Sequence, residues 1–91
     1  MRRNLHLEGR VLNFLSLLDG KHYKQVTGKI FKLLENPAPH DRVLMQGYQD
    51  VWRTDIGERR IIYSYTDELV NILMVGKRND DEIYRDFDRT H

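Results

Sequence analysis

Four cations and one tyrosine in this 91-residue chain have the types and spacing to handle a phosphate. Arg53 lies in "VWRTDIGERRIIYSY", and Arg60 follows it across Gly57-Glu58. Lys77 and Arg78 come directly after the apolar run "LVNILMVG", and Tyr84 stands six residues beyond Arg78. An arginine grips phosphate through two parallel hydrogen bonds, and its charge does not titrate away. A tyrosine ring stacks on a nucleobase, and its hydroxyl donates or accepts a proton. Placing cations side by side costs repulsion energy that a bound phosphate offsets. Each residue also has a purely structural reading. Arg60 pairs with Asp55 or Glu58 across the hairpin, Lys77 and Arg78 are strand-end charges, and Ile83 with Tyr84 anchors the C-terminal segment to the core. At the level of sequence both readings stand.

Other chemistries find little support. His6, His22, His40 and His91 are not at ligand spacing from one another, and no HExxH, P-loop or GxGxxG pattern occurs. The chain has no cysteine, which removes disulfides and thiolate metal sites and suits a reducing cytoplasm. Neither a metal site nor a cofactor is expected. No apolar run approaches the ~20 residues of a membrane span. The opening "MRRNLHLEGR" lacks the apolar block of a secretory signal. The net charge of +1 hides an asymmetry. Residues 79–91 carry five acids and two arginines, so the preceding 78 residues are mildly basic and fit a polyanionic partner or a well-solvated surface.

The elements that must position these residues are legible as periodicities, and the length suits one domain spanning residues 1–91. Val11, Phe14, Leu15 and Leu18 form the apolar stripe of a helix, which Asp19-Gly20 is expected to stop. Tyr23, Val26, Ile30, Leu33 and Leu34 mark a second helix over residues 21–35, ended by Asn36-Pro37. Lys21, Lys24, Lys29 and Lys32 fall on its opposite side, as a solvated face or as one that touches phosphate. "NPAPHDRVLMQGY" reads as a loop. The period then changes to two. Trp52, Thr54 and Ile56 alternate with Val51, Arg53 and Asp55, and Gly57-Glu58 sits where a type II′ hairpin turn belongs. Residues 59–65 return, Thr66-Asp67-Glu68 turns, and "LVNILMVG" forms a third strand ending at Gly76. That strand is apolar on both faces and therefore central and covered. The fold class is α+β: an N-terminal helical hairpin packed on an antiparallel sheet of three to four strands.

The pair "VWRTDIGERRIIYSY" and "ILMVGKRNDDEIYRDF" resembles the RelE branch of the RelE/ParE toxin superfamily, supported by "KQVTGKIFKLLENPAPHD". The resemblance runs from about Phe14 to Phe87. It implies a small cytoplasmic toxin of a bacterial toxin–antitoxin pair that enters the ribosomal A site and cuts mRNA there. The implied reaction is metal-independent attack of a ribose 2′-OH on the adjacent phosphate. It also implies a cognate antitoxin, the 70S ribosome and mRNA as partners, and a toxin–antitoxin heterotetramer as an assembly. By this resemblance Arg60, Arg78 and Tyr84 are the catalytic set. Arg53 and Lys77 hold the RNA backbone, and Lys21, Lys24, Lys29 and Lys32 add contacts to ribosomal RNA. The ParE branch, whose members inhibit gyrase, shares the fold and is the alternative. A catalytically weak RNA- or protein-binding member is the other. Two departures stand out. Family members usually open with a β-strand, for which only "RRNLHL" is available. Asp55 occupies a position where some RelE-type toxins carry a further lysine.

Overall fold

β-branched and aromatic residues at alternate positions turn the centre of the chain into strands. A computed structural model describes residues 3–78 and 82–90. In chain order the elements are β1 (Asn4–Leu7), α1 (Gly9–Ser16), α2 (Gly20–Glu35), β2 (Val43–Leu44), β3 (Trp52–Ile56), β4 (Arg59–Tyr65), β5 (Leu69–Lys77) and α3 (Glu82–Thr90). The sheet runs β1-β5-β4-β3-β2. Its heart is the expected antiparallel meander of β3, β4 and β5. Two further strands bring the sheet to five. β1 adds to β5 in parallel, Leu5 opposite Val70 and Leu7 opposite Ile72, so "RRNLHL" does supply an opening strand. β2 is a two-residue strand within the segment expected to be loop, and it pairs with β3.

The turn from β3 to β4 behaves as its sequence predicts. Gly57 has φ +58, and no non-glycine residue among those described has a positive φ. A positive φ at the first turn position alone is the signature of type II′. The start of α2 differs from expectation. Asp19 does not stop α1; its side chain accepts the His22 backbone N–H and caps α2. α1 closes earlier, with tight bonds from Leu17 N–H to Phe14 and from Leu18 N–H to Leu15. Val26, Ile30, Leu33 and Leu34 of α2 are buried as the stripe predicts, but Tyr23 is 48% exposed.

Two cores lie on opposite faces of the sheet. On one, α1 and α2 cover Ile61, Tyr63, Val70, Ile72 and Val75. On the other, Ile83 and Phe87 of α3 pack against Ile62 and Leu73. The β4–β5 register slips between Ile62 and Tyr63, which pair with Met74 and Ile72, leaving Leu73 as an extra residue in β5. Such a bulge shifts the alternation of everything after it. It places Gly76, opposite Arg60, on the α3 face and sends Lys77, opposite Arg59, to the α1/α2 face. β5 runs on to Lys77, so Gly76 lies inside the strand and does not end it.

The segment after α2 is tied down by polar contacts, one of them buried. The Tyr63 hydroxyl donates to the Pro37 carbonyl at 2.7 Å, and burial pushes that phenol's pKa up. The Arg42 guanidinium carbon sits 4.0 Å from the Trp52 ring centroid. Asp41 Oδ2 accepts the Thr54 hydroxyl at 2.8 Å and the Asp55 backbone N–H at 3.3 Å. Its other oxygen lies 3.5 Å from Lys29 Nζ. Partial burial opposes ionisation of Asp41, but the Thr54 and Asp55 donors and the Lys29 charge together hold its pKa below the usual carboxylate value. Among the described residues, no helix is long and apolar enough to cross a membrane.

Two outcomes test this construction. Gly57→Ala forces a side chain into the left-handed region and is expected to cost about 1–2 kcal/mol in urea denaturation. Unchanged stability would contradict the turn geometry. Asp41 has a lowered folded-state pKa, so its contribution is complete above its unfolded value near pH 4 and is lost as pH falls through the folded value. Asp41→Asn should therefore lower stability at pH 7 and flatten the decline below about pH 4. Parallel stability–pH curves for the two proteins would rule the clamp out.

Candidate active site

Arg60 follows the hairpin turn on β4, and Asp55 faces it across the β3 pairing. The pair is fixed by two bonds from the same edge of the guanidinium. Nε–H donates to Asp55 Oδ1 at 2.7 Å, and Nη2–H donates to Oδ2 at 3.2 Å. The Arg60 side chain is only 13% exposed. Its hydrogen bonds to Asp55 raise its pKa further, against the opposing effect of burial, so the charge is permanent. Of the two partners the sequence offered, Asp55 holds it. Nη1–H donates to the Tyr84 hydroxyl, and the guanidinium carbon lies 5.5 Å from the Tyr84 ring centroid. Three of the five guanidinium N–H groups are thus used. One on each terminal nitrogen remains for a phosphate oxygen.

Tyr84 is where α3 puts it. Ile83 and Phe87, four residues apart, are the buried face of that helix. Ile83 rests on Gly76: a Cβ there would come 3.0 Å from Ile83 Cδ1 and 3.2 Å from its Cβ. The Tyr48 ring meets Phe87 edge-on at 5.3 Å, and its hydroxyl donates to Asp88 Oδ1 at 2.8 Å. That bond raises the Tyr48 pKa. Arg10 fastens the far end. Its Nε–H donates to the carbonyl of the bulged Leu73 at 2.8 Å, its guanidinium carbon lies 5.7 Å from the Phe87 ring, and Nη1 bonds the Thr90 hydroxyl.

The other expected site residues divide. Arg53 shares the α3 face and lines the same hollow as Tyr84. Arg78 follows β5, with its backbone N–H on the Glu58 carbonyl at 2.8 Å. Its guanidinium is exposed, without a hydrogen bond or ion pair to the described residues. Lys77 belongs by alternation to the other face, because the Leu73 bulge reverses the parity that counting along the strand assumes. Lys21, Lys24 and Lys32 are exposed on α2, on the opposite side of the sheet from Arg60 and Tyr84. Lys29 is engaged by Asp41. A helix over residues 21–35 packed on the α1/α2 face cannot share a surface with α3, so the six binding cations do not form one patch. Asp80 and Asp81, which precede α3 in sequence, lie outside the described residues; Glu82 opens α3. Sequence reasoning missed Arg10, whose role depends on an unpaired strand carbonyl that no local pattern reveals.

If Gly76 is the seat of α3, Gly76→Val should displace Ile83 and separate Tyr84 from Arg60. Overpacking of this kind costs about 1–3 kcal/mol. Amide hydrogen exchange at residues 83–87 is expected to speed up at least about tenfold, with little change in α2. Unaltered protection in α3 would refute the assignment.

The comparisons with known proteins agree with the fold. The family described as "ParE toxin of type II toxin-antitoxin system, parDE" matches residues 10–82. No curated protein matches. Among solved structures, a mutant of the E. coli toxin RelE in the free state superposes with a TM-score of 0.79 at 24% identity, covering 98% of this chain and 97% of that one. A chain of the archaeal RelE–RelB complex from Pyrococcus horikoshii gives 0.72 at 24% identity, covering 87% and 98%. A chain of the E. coli DinJ–YafQ toxin–antitoxin complex gives 0.69 at 18%, covering 85% and 93%. With the family matched over most of its length and the RelE-like architecture reproduced, this chain belongs to the RelE/ParE superfamily of type II toxin–antitoxin toxins.

Proposed function

We propose that this toxin is an endoribonuclease of the RelE type, cutting mRNA in the ribosomal A site. The observation that carries the reading is the contact of Arg60 with Tyr84 on one face of the sheet. In the reaction the ribose 2′-oxygen bonds to phosphorus, the bond to the 5′-oxygen breaks, and a cyclic phosphate and a 5′-OH result. Negative charge grows on the phosphate oxygens. Arg60, immobilised by Asp55 and with two N–H groups free, meets that charge without reorganising. Arg78, exposed at the end of β5, supplies a second cation able to swing in from the rim. Tyr84 orients the scissile nucleotide by stacking, and its hydroxyl, beside Arg60, serves the proton transfers. Arg53 holds the backbone on the same face. Lys21, Lys24 and Lys32 form a separate exposed surface for ribosomal RNA on the other layer.

The toxin's partner is then a cognate antitoxin, as in the RelE–RelB and DinJ–YafQ complexes. Exposed Leu12, Tyr23 and Phe31 along α1 and α2 offer it an apolar seat. The cytoplasm is where the ribosome and mRNA are met. A gyrase-inhibiting activity is the second reading, favoured by the ParE description of the matching family.

Primer extension on mRNA in a translating extract separates them. The folded, antitoxin-free chain should produce discrete cuts. Arg60→Ala should lower cutting by about 10²–10³-fold, the usual effect of removing one transition-state donor. Tyr84→Phe should lower it less than Tyr84→Ala. Intact message with the wild-type chain would overturn the proposal, and a change in supercoiling by gyrase would support the second reading.

A further inference from the structure

β2 ends before β3 does. It pairs Val43 with Arg53 and Leu44 with Trp52, while β3 runs on to Ile56. Continued in the same antiparallel register, the pairing would set Arg42 opposite Thr54 and Asp41 opposite Asp55. The chain turns away instead, with the Arg42 N–H donating to the Pro39 carbonyl at 3.0 Å. The last residues of β3 are left with an open outer edge, and Asp55 is one of them.

Asp55 depends on that edge. A two-residue hairpin turn is closed by a pair that exchanges both backbone bonds, here Ile56 with Arg59. The next pair, Asp55 with Arg60, is then of the alternate kind, which exchanges no backbone bond and whose side chains stand closer together. That closeness lets the carboxylate take Nε–H and Nη2–H of Arg60 at 2.7 and 3.2 Å. It also turns the Asp55 N–H away from β4, towards the side that β2 has vacated. A side chain meets it there. Asp41 Oδ2 accepts the Asp55 N–H at 3.3 Å and, at 2.8 Å, the hydroxyl of Thr54, a residue only 1% exposed. The residue that the register would set opposite Asp55 thus still reaches it, with a carboxylate oxygen in place of a backbone carbonyl. Lys29 of α2 lies 3.5 Å from the other oxygen and holds the carboxylate from behind.

A continuous path of contacts runs from Lys29 through Asp41, Asp55 and Arg60 to Tyr84. The bonds of Asp41 go to Lys29, Thr54 and Asp55, so its effect reaches the guanidinium through Asp55. We infer that Asp41 is a positioning residue for the Arg60 centre: anchored by Thr54 and Lys29, it fixes the Asp55 backbone at the open edge of β3 and thereby the direction of the Arg60 guanidinium. The inference deepens the proposed endonuclease reading and rests on it for the reaction. The alignment itself is measurable without RNA.

Primer extension in the translating extract, at rising ribosome concentration, reads the effect on the reaction. Misplacing a catalytic group by about 1 Å costs up to about a hundredfold in rate. Asp41→Ala should therefore lower cutting at saturation about ten- to hundredfold and leave the half-saturating ribosome concentration within about twofold. Asp41→Asn, which keeps an oxygen for Thr54 and Asp55, should restore most of that rate. Thr54→Val, which loosens the same loop but spares the bond to Asp55, should stay within about threefold of wild type. In an Asp55→Ala background, Asp41→Ala should cost no further rate, although it still lowers the urea midpoint. Heteronuclear NMR of the free chain gives a second readout. The Arg60 Nε–H should exchange with water at least about tenfold faster in Asp41→Ala, with the Ile61 and Ile62 amides unchanged. Asp41→Ser, too short to reach Asp55, replaces the alanine variant if that one does not fold.

An unaltered rate in Asp41→Ala, an equal loss in Thr54→Val, a further loss in the Asp55→Ala background or unchanged exchange at Arg60 Nε–H would each overturn the role. Intact message with the wild-type chain would sink the endonuclease, and the exchange at Arg60 would still decide the positioning role. Full-rate cutting by Asp41→Ala would sink the positioning role alone.

Discussion

Ile83 lies against bare backbone at Gly76, and the spacing of that contact governs what the rest of the molecule can do. A helix of nine residues has too few bonds to hold itself in water, so its position must come from tertiary packing. Ile83 and Phe87 provide the packing, and Gly76 sets how closely the helix comes to the sheet. Tyr84 is adjacent to Ile83 in sequence, so the height of α3 above the sheet is also the height of the phenol above Arg60. The bulge at Leu73 completes the arrangement. It turns Gly76 to this face and releases a carbonyl that Arg10 uses to reach across to Phe87 and Thr90. Packing, register and the polar contact between Arg60 and Tyr84 are thus one linked constraint.

The charge of the molecule is sorted by layer. On the α3 face, Arg60 is matched by Asp55 and largely removed from solvent, so it acts as an oriented donor and not as a diffuse attractor. On the α1/α2 layer, lysines stand in water, where screening weakens them beyond about 8 Å at physiological salt. A carboxylate at position 55 therefore does not simply subtract from a cationic patch. It spends one edge of the guanidinium on alignment and leaves the terminal nitrogens available. The same face receives a further acid, Asp88, through α3, so polarity there is patterned at the scale of single hydrogen bonds.

Much of this was readable in the amino acids. The 3.6-residue stripe of α2, the alternation around Trp52, the Gly57 turn and the doubly apolar β5 each record a local period set by a local geometry. The partnership of Arg60 with Tyr84 was legible as a motif. Its geometry was not, because it depends on α3 docking to a face that no periodicity names. β1 and β2 were obscure for different reasons. β1 pairs with residues 65 positions away, and β2 is too short to show alternation. Asp19 was misread because an Asp-Gly pair signals both a helix end and a helix start, and only the direction of its hydrogen bond decides. Lys21, Lys24 and Lys32 do stand on the outer side of a helix, but Lys29 is drawn to Asp41, a partner twelve residues on that no helical period reveals. Lys77 was lost to the bulge, since "NILMV" is apolar whichever way each residue points.

The parallel pairing of β1 with β5 gives the chain a topology that closes late. Asn4 to Leu7 find their partners only when residues 69–72 exist, and loop closure over that span must precede any gain from the pairing. Until then Leu5 and Leu7 lack the strand they lean on, and the helical hairpin lacks part of its floor. α3 follows later still, after the strand that carries its seat. A ribosome making this chain must therefore release nearly all of the described residues before Arg60 can meet Tyr84. The order of synthesis itself keeps the two groups apart until both β5 and α3, which carries Tyr84 24 positions after Arg60, have been made.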